Sequence, residues 1–173
     1  MSEFVHLHNH SDYSLLDGAF SIDNLVGAAV EYDMPAVALT EHGNMFSAIQ
    51  FYKKAKAAGV KPIFGCELYV AQNSRFEKKK TNRGGWGYNH LVVLAKNQTG
   101  WKNLMKLVSF GYLDGFYYRP RVDKGLLRKY NDGLIASAAC LKGAVQEKLL
   151  NDDYEGAKKE ALEHYEIFQG DYV

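Results

Sequence analysis

Little in the composition of this chain points to a special environment. It carries two cysteines in 173 residues, Cys66 and Cys140. They could pair in principle, but two thiols with no signal-peptide pattern read as reduced and intracellular. No apolar run approaches the roughly 20 residues of a membrane-spanning helix, so no membrane partner is expected. An excess of one charge is also missing: 21 basic residues face 20 acidic ones. No global field then demands a nucleic-acid partner, and any such binding must come from local patches. There is no internal repeat and no low-complexity linker. The expectation is one soluble, cytoplasmic domain over residues 1–173, long enough for a real core.

What is present is an alternation of strands and helices. Residues 4–10 alternate, with Val5 and Leu7 on one face and His6, His8 and His10 on the other. Ser21 is placed to cap a helix through about Tyr32, and Pro35 opens a strand over 36–40. A helix over 45–58 is closed by Gly59. Strands follow at 61–70 and 90–95, then a helix from Thr99 as cap to about Phe110. A short strand, Leu134–Ser137, precedes helices over 143–150 and 154–168, and Tyr172-Val173 starts one more strand. Repeated strand–helix order argues for a parallel α/β fold. A barrel of this kind needs about 200 residues or more, so the chain is expected to be the front part of a larger protein.

Two stretches are irregular. Residues 73–88 hold Lys78-Lys79-Lys80 and then Gly84, Gly85 and Gly87, which reads as a flexible, basic, solvated loop. Residues 112–129 mix aromatics with Arg119, Arg121, Lys124 and Arg128. Within it, residues 116–129 either guide a single nucleic-acid strand by charge and stacking or are an ordinary solvated loop.

The chemistry concentrates where strands run into loops. On a strand, His8 and His10 leave the same face and can share an ion, or they form a polar strand end. His6, farther back, reads as structural. Asp17 before Gly18 is a turn residue or a carboxylate folding back over the strand end. Glu41-His42-Gly43 follows an apolar strand directly, where barrel enzymes keep working groups, although helix-entry polarity explains Glu41 as well. Glu67 lies inside an apolar run, where an unpaired carboxylate is costly, so a metal or an arginine should neutralise it. His90 begins its strand, the wrong end on barrel rules, and alone would be a surface histidine. Cys140 alone is a small buried apolar group; as a ligand it would have to be a thiolate.

These residues gain meaning from a resemblance along the whole chain. Residues 4–19 (Phe-Val-His-Leu-His-Asn-His-Ser-Asp-Tyr-Ser-Leu-Leu-Asp-Gly-Ala) and 38–45 (Ala-Leu-Thr-Glu-His-Gly-Asn-Met) resemble the polymerase-and-histidinol-phosphatase (PHP) domain of bacterial DNA polymerase III alpha subunits. So do residues 59–70 (Gly-Val-Lys-Pro-Ile-Phe-Gly-Cys-Glu-Leu-Tyr-Val), 89–95, 119–123 and 133–141. Phosphatases of the same superfamily would share the histidine motif but not these later blocks.

The resemblance implies a distorted barrel of seven βα units, here only its N-terminal part, with up to three metals at one mouth. The implied ligands are His8, His10, Asp17, His42, Glu67, His90 and Cys140. By that analogy Glu67 bridges two ions. His8 and His10 hold the first, His90 and Cys140 the second, and Asp17 and His42 reach a third. A later Asp-x-His motif, beyond residue 173, would supply the last two ligands. The donor set suits two or three ions of zinc, manganese or iron. The implied activity is 3′–5′ proofreading hydrolysis at a DNA 3′ end, in a parent DNA-directed DNA polymerase with other replicative subunits as partners. A water activated between ions about 3.5–4 Å apart would attack phosphorus. No catalytic side chain is assigned, and no Ser/His/Asp arrangement is proposed. Two alternatives stay open: a metal-stabilised scaffold that docks a separate exonuclease subunit, and a small-molecule phosphatase.

Overall fold

The first helix forms where Ser21 can cap it. The Ser21 Oγ accepts from the Asn24 N–H at 3.2 Å and opens α1 (Ile22–Glu31). Ile22, Leu25, Val26 and Ala29 fall on one face and pack with Val37, Leu39, Phe51 and Ala55. This computed structural model describes residues 4–80, 87–138 and 140–173. Its further elements are β1 (Ala36–Leu39), α2 (Ala48–Ala57), β2 (Lys61–Ala71), β3 (Tyr88–Ala95), α3 (Gln98–Leu113), β4 (Arg121–Val122), α4 (Lys124–Lys129), β5 (Leu134–Ser137), α5 (Ala144–Leu150) and α6 (Tyr154–Ile167).

The fold is α/β, as expected, but its sheet is mixed rather than parallel. Strand order is β1-β2-β3-β5, with β4 beside β2. β1 and β2 are parallel because α2 carries the chain back between them. No helix is described between β2 and β3, and the two pair antiparallel, Tyr69 opposite His90 and Glu67 opposite Val92. β5 runs antiparallel to β3, and Tyr172 begins a bridge parallel to Ala136, as the expected extra strand would. The basic loop expected over 73–88 lies partly outside the described residues, at 81–86.

Other departures have local causes. Residues 4–10 form no regular strand, although the Ala38 and Thr40 N–H groups donate to the His6 and Asn9 carbonyls at 3.0 and 2.9 Å. The Asn9 side-chain amide donates to the Ala38 carbonyl at 3.0 Å, taking an acceptor that a further ladder bond would have used. α3 is capped by Asn97 instead of Thr99: the Asn97 Oδ1 accepts from Gly100 N–H at 3.0 Å. α4, unforeseen, starts at Asp123, whose Oδ1 accepts from Leu126 N–H at 2.9 Å.

The two faces of the sheet differ. Cys66, Leu68, Val70, Leu91 and Val93 point to one face and pack with Leu104, Leu107, Leu127 and Ile167 of the helices. Each such fully buried side chain contributes roughly 1.5–3 kcal/mol. The other face carries Ala38, Val92 and Leu94 with Ile63 and Ile135 around them. By the alternation of strands, Glu67, Tyr69 and His90 share that second face, toward the β2 C-terminal half.

Candidate metal centre

Strand direction brings the polar residues together. Because β1 and β2 are parallel, the chain leaving the β1 C-terminus runs on beside the second half of β2: His42 bridges Glu67, and the Gly43 N–H donates to the Glu67 carbonyl at 2.9 Å. Because β3 is antiparallel, its first residues lie beside that same half, which puts His90 at the site although it opens its strand. β5, reversed again, delivers Cys140 from its C-terminal side.

Glu67 is the centre of the cluster and is 0% exposed. Its Oε2 contacts His8 Nε2 and lies 3.4 Å from His10 Nε2; its Oε1 contacts His90 Nδ1 and lies 3.1 Å from His42 Nδ1. His8 and His10 face each other through Nε2 at 3.1 Å, and the His10 and His42 rings stack at 3.9 Å. His42 Nε2 is 3.0 Å from Asp17 Oδ2, and Cys140 Sγ is 3.3 Å from His90 Nδ1. All seven expected ligand positions therefore lie in one connected cluster. Two groups of three, His8–His10–Glu67 and His42–Glu67–His90, have donor atoms mutually within 4.8 Å. His42 thus sits with His90 on one Glu67 oxygen as well as with Asp17.

The donor chemistry fits cations. Ring nitrogens and carboxylate oxygens converge: the buried Glu67 Oε1 lies against His90 Nδ1 and His42 Nδ1 without well-aligned hydrogen bonds, and His10 Nδ1 is buried without a hydrogen-bond partner among the described residues. Burial works against an ionised Glu67, yet contacts from His10, His42, His8 and His90 outweigh it and hold the carboxyl far below its ordinary value. Burial lowers the His42 imidazole, but Glu67 and Asp17 together raise it above its ordinary value. Burial pushes the Cys140 thiol up, so this site keeps it protonated unless a cation claims the sulfur. Cys66 is a different case. It is buried within β2, and its Sγ donates to the Glu41 carbonyl at 3.3 Å.

A second web holds the cluster in place. Glu41, 1% exposed, accepts from the hydroxyls of Ser11, Ser14 and Ser47 and from the Ser11 N–H. The Ser14 Oγ in turn accepts from the His42 N–H at 3.1 Å. This ties the loop bearing Asp17 to the strand end bearing His42. Gly18 permits the fold of that loop, since a Cβ there would lie 1.8 Å from the Ser11 carbonyl oxygen. No sequence signal marked Glu41 for this task, because its serines are scattered.

A cavity of about 920 Å³ opens over the cluster and is lined by Asp17, His42, Tyr69, His90, Arg119 and Lys142, among others. Burial pushes the Tyr69 phenol up to about 12, against the pull of Arg119. Gly43, at φ +62°, lets the wall close in: a Cβ would meet Pro120 at 2.8 Å and the Tyr69 ring at 2.9 Å.

The four basic residues expected to guide a strand do not form one patch. Arg121 is 2% exposed, and its guanidinium donates to the carbonyls of Gly115, Arg75 and Glu77. Lys124 pairs with Glu160 and Glu163 at 2.7 Å each, and Arg128 with Glu163 at 2.6 Å. Only Arg119 of the four lines the cavity. His6 is exposed and stands edge-on to Phe4 at 4.8 Å, apart from the cluster.

Among the described residues, no helix is long and apolar enough to cross a membrane. The PHP domain family model matches residues 6–173. The DNA polymerase III subunit alpha of Borreliella burgdorferi is 52% identical over 171 residues, covering 99% of this chain and 15% of that protein. The protein of the same name from Thermus aquaticus is 46% identical over 168 residues, covering 96% of this chain and 14% of its own length. The chain thus spans about a seventh of the length of these curated relatives. Among solved structures, an amidohydrolase from Chromobacterium violaceum aligns at a TM-score of 0.44 and 18% identity, over 94% of this chain and 49% of that one.

Proposed function

This chain belongs to the PHP domain family, and on that premise we propose that it is a metal-dependent phosphodiesterase working as a 3′–5′ exonuclease at a DNA 3′ end. Its proposed setting is a DNA polymerase III alpha subunit, where nucleotide addition would reside in other parts of the chain. One observation carries the reading: a fully buried carboxylate, Glu67, presents each of its oxygens to a separate pair of imidazoles. A buried carboxylate shared between two ligand groups is suited to bridging two cations.

His8 and His10 would hold one ion with Glu67 Oε2, and His42 and His90 a second with Oε1. Asp17 and Cys140, in contact with the His42 and His90 rings, would complete the shell or orient it. The donor set suits zinc, manganese or iron. Such ions supply Lewis-acid polarisation of a phosphoryl oxygen and lower the pKa of water. The chain itself does the rest. Arg119 and Lys142 offset the charge of an entering phosphodiester. The Glu41 web fixes the ligand loop, so that the donors need not reorganise during reaction. The proposed partners are the DNA 3′ end and other replicative subunits.

The test uses the whole protein, stripped of ions and then resupplied with manganese or zinc. A 5′-labelled oligonucleotide should shorten stepwise from its 3′ end, and Glu67→Gln should abolish both ion retention and shortening. Retained ions without shortening would instead leave a metal-stabilised support for a separate exonuclease subunit. Cleavage of phosphomonoesters alone would favour a small-molecule phosphatase.

A further inference from the structure

We propose that Phe46, Tyr112 and Phe116 form a base-stacking wall beside the metal centre, so that the strand enters unpaired, with Arg119 taking one of its phosphates. The proposal rests on the phosphodiesterase reading and names how its substrate is held. The three rings come from separate places: Phe46 from the loop after β1, Tyr112 from the end of α3, and Phe116 from the turn beyond it. They converge in a row, Phe46 to Tyr112 at 6.2 Å between centroids and Tyr112 to Phe116 also at 6.2 Å, the latter pair 24° from parallel. Phe46 remains 69% exposed and Phe116 48% exposed, although both line the same cavity as His42 and His90.

Large aromatic faces left in water beside a cluster of ligating residues are suited to stacking a nucleobase. Stacking on a ring is tolerant of sequence, because every base has a π-face. The charge is complementary too. Among the described residues Arg119 and Lys142 have no carboxylate partner, whereas Arg75, Lys124 and Arg128 are all engaged in ion pairs. The cavity, about 920 Å³, also lies at the upper end of the roughly 300–1,000 Å³ usual for ligand sites, more than a lone phosphate needs. Stacking on these exposed rings needs a free base face, so the wall would favour a single strand or a frayed end.

The experiment has two arms in the full-length protein. First, an oligonucleotide ending in 5-iododeoxyuridine is irradiated with the protein in EDTA, and cross-linked peptides are mapped. Cross-links at Phe46, Tyr112 or Phe116 are expected, with or without a working metal centre; their absence from all three overturns the proposal. Second, with ions restored, Tyr112→Ala/Phe116→Ala should raise KM for a single strand by about 5- to 150-fold and leave kcat nearly unchanged. The same change should do little to an oligonucleotide whose terminal residues are abasic, and Phe116→Trp should restore much of the affinity. Equal effects on intact and abasic strands would overturn the wall while leaving the hydrolase intact. Cross-linking at the wall without cleavage on ion addition would support the wall and sink the hydrolase reading.

Discussion

The pockets around Glu41 and Glu67 place one carboxylate just past β1 and another within its parallel neighbour β2, both shut away from water. Around Glu41 every neighbour is a donor: hydroxyls of Ser11, Ser14 and Ser47 and one backbone N–H. That carboxylate is solvated by the protein and needs nothing else. Around Glu67 the neighbours are ring nitrogens, each able to serve as donor or lone-pair acceptor, and some buried atoms lack partners. That second pocket presents a donor set suited to cations. Equal burial therefore says little about role; the hydrogen-bonding sense of the surrounding atoms decides it.

Five changes probe this contrast. The largest effect is expected from Glu67→Gln, which removes the charge between the two imidazole pairs. Ion affinity should fall by more than the roughly 10–100-fold that loss of an outer-shell partner costs, read by elemental analysis after dialysis, while the fold persists. If the variant kept its ions, the two pockets would be alike after all. Glu41→Ala should show the reverse profile. It leaves three buried hydroxyls without their acceptor and should cost about 3 kcal/mol in urea unfolding, with ion content maintained at low temperature.

Asp123 is a third carboxylate, of the Glu41 kind, and tests that kind by pH. Burial opposes its ionised form, but the Arg75 and Leu126 N–H groups and the Arg75 guanidinium prevail and hold it below its ordinary value. The folded state then binds this proton less readily than the unfolded chain. Its stabilisation is present above the unfolded value of about 3.9 and is lost as pH falls through the lower folded value. Asp123→Asn should therefore cost about 1–3 kcal/mol at pH 7, with the gap between variant and wild type closing toward pH 3. A gap independent of pH would mean that Asp123 caps α4 by shape alone. The smallest effect is expected from Arg128→Gln. Its pair with Glu163 is half exposed and should be worth under about 1 kcal/mol, and oligonucleotide binding should not change, whereas Arg119→Gln should weaken it.

Much of the candidate centre was legible in the residues, and the reasons are specific. Glu67 stands out because a charge inside Ile63–Leu68 must be answered by something. His8 and His10 stand out because a spacing of two keeps rings together even where, as here, the backbone forms no regular strand. α1 and β5 could be read directly, one from its Ser21 cap and the other from its apolar run. The roles of the cations were not legible. Arg121 and Arg119 are two residues apart and look alike in sequence, yet one satisfies buried carbonyls and the other faces the cavity. Charge in a sequence does not reveal whether a partner already holds it.

By itself the amino-acid sequence determined the repertoire: which side chains could ligate, which segments alternate or recur at helical spacing, and which family the motifs resemble. These are properties of residue type and short-range spacing, and they survive without knowledge of the fold. Tertiary structure alone decided strand direction. With β3 antiparallel to β2, a histidine at the beginning of a strand arrives beside a glutamate near the end of another. That placement depends on pairing between residues far apart in the chain. No local pattern encodes it, since an isolated strand has the same alternation in either direction.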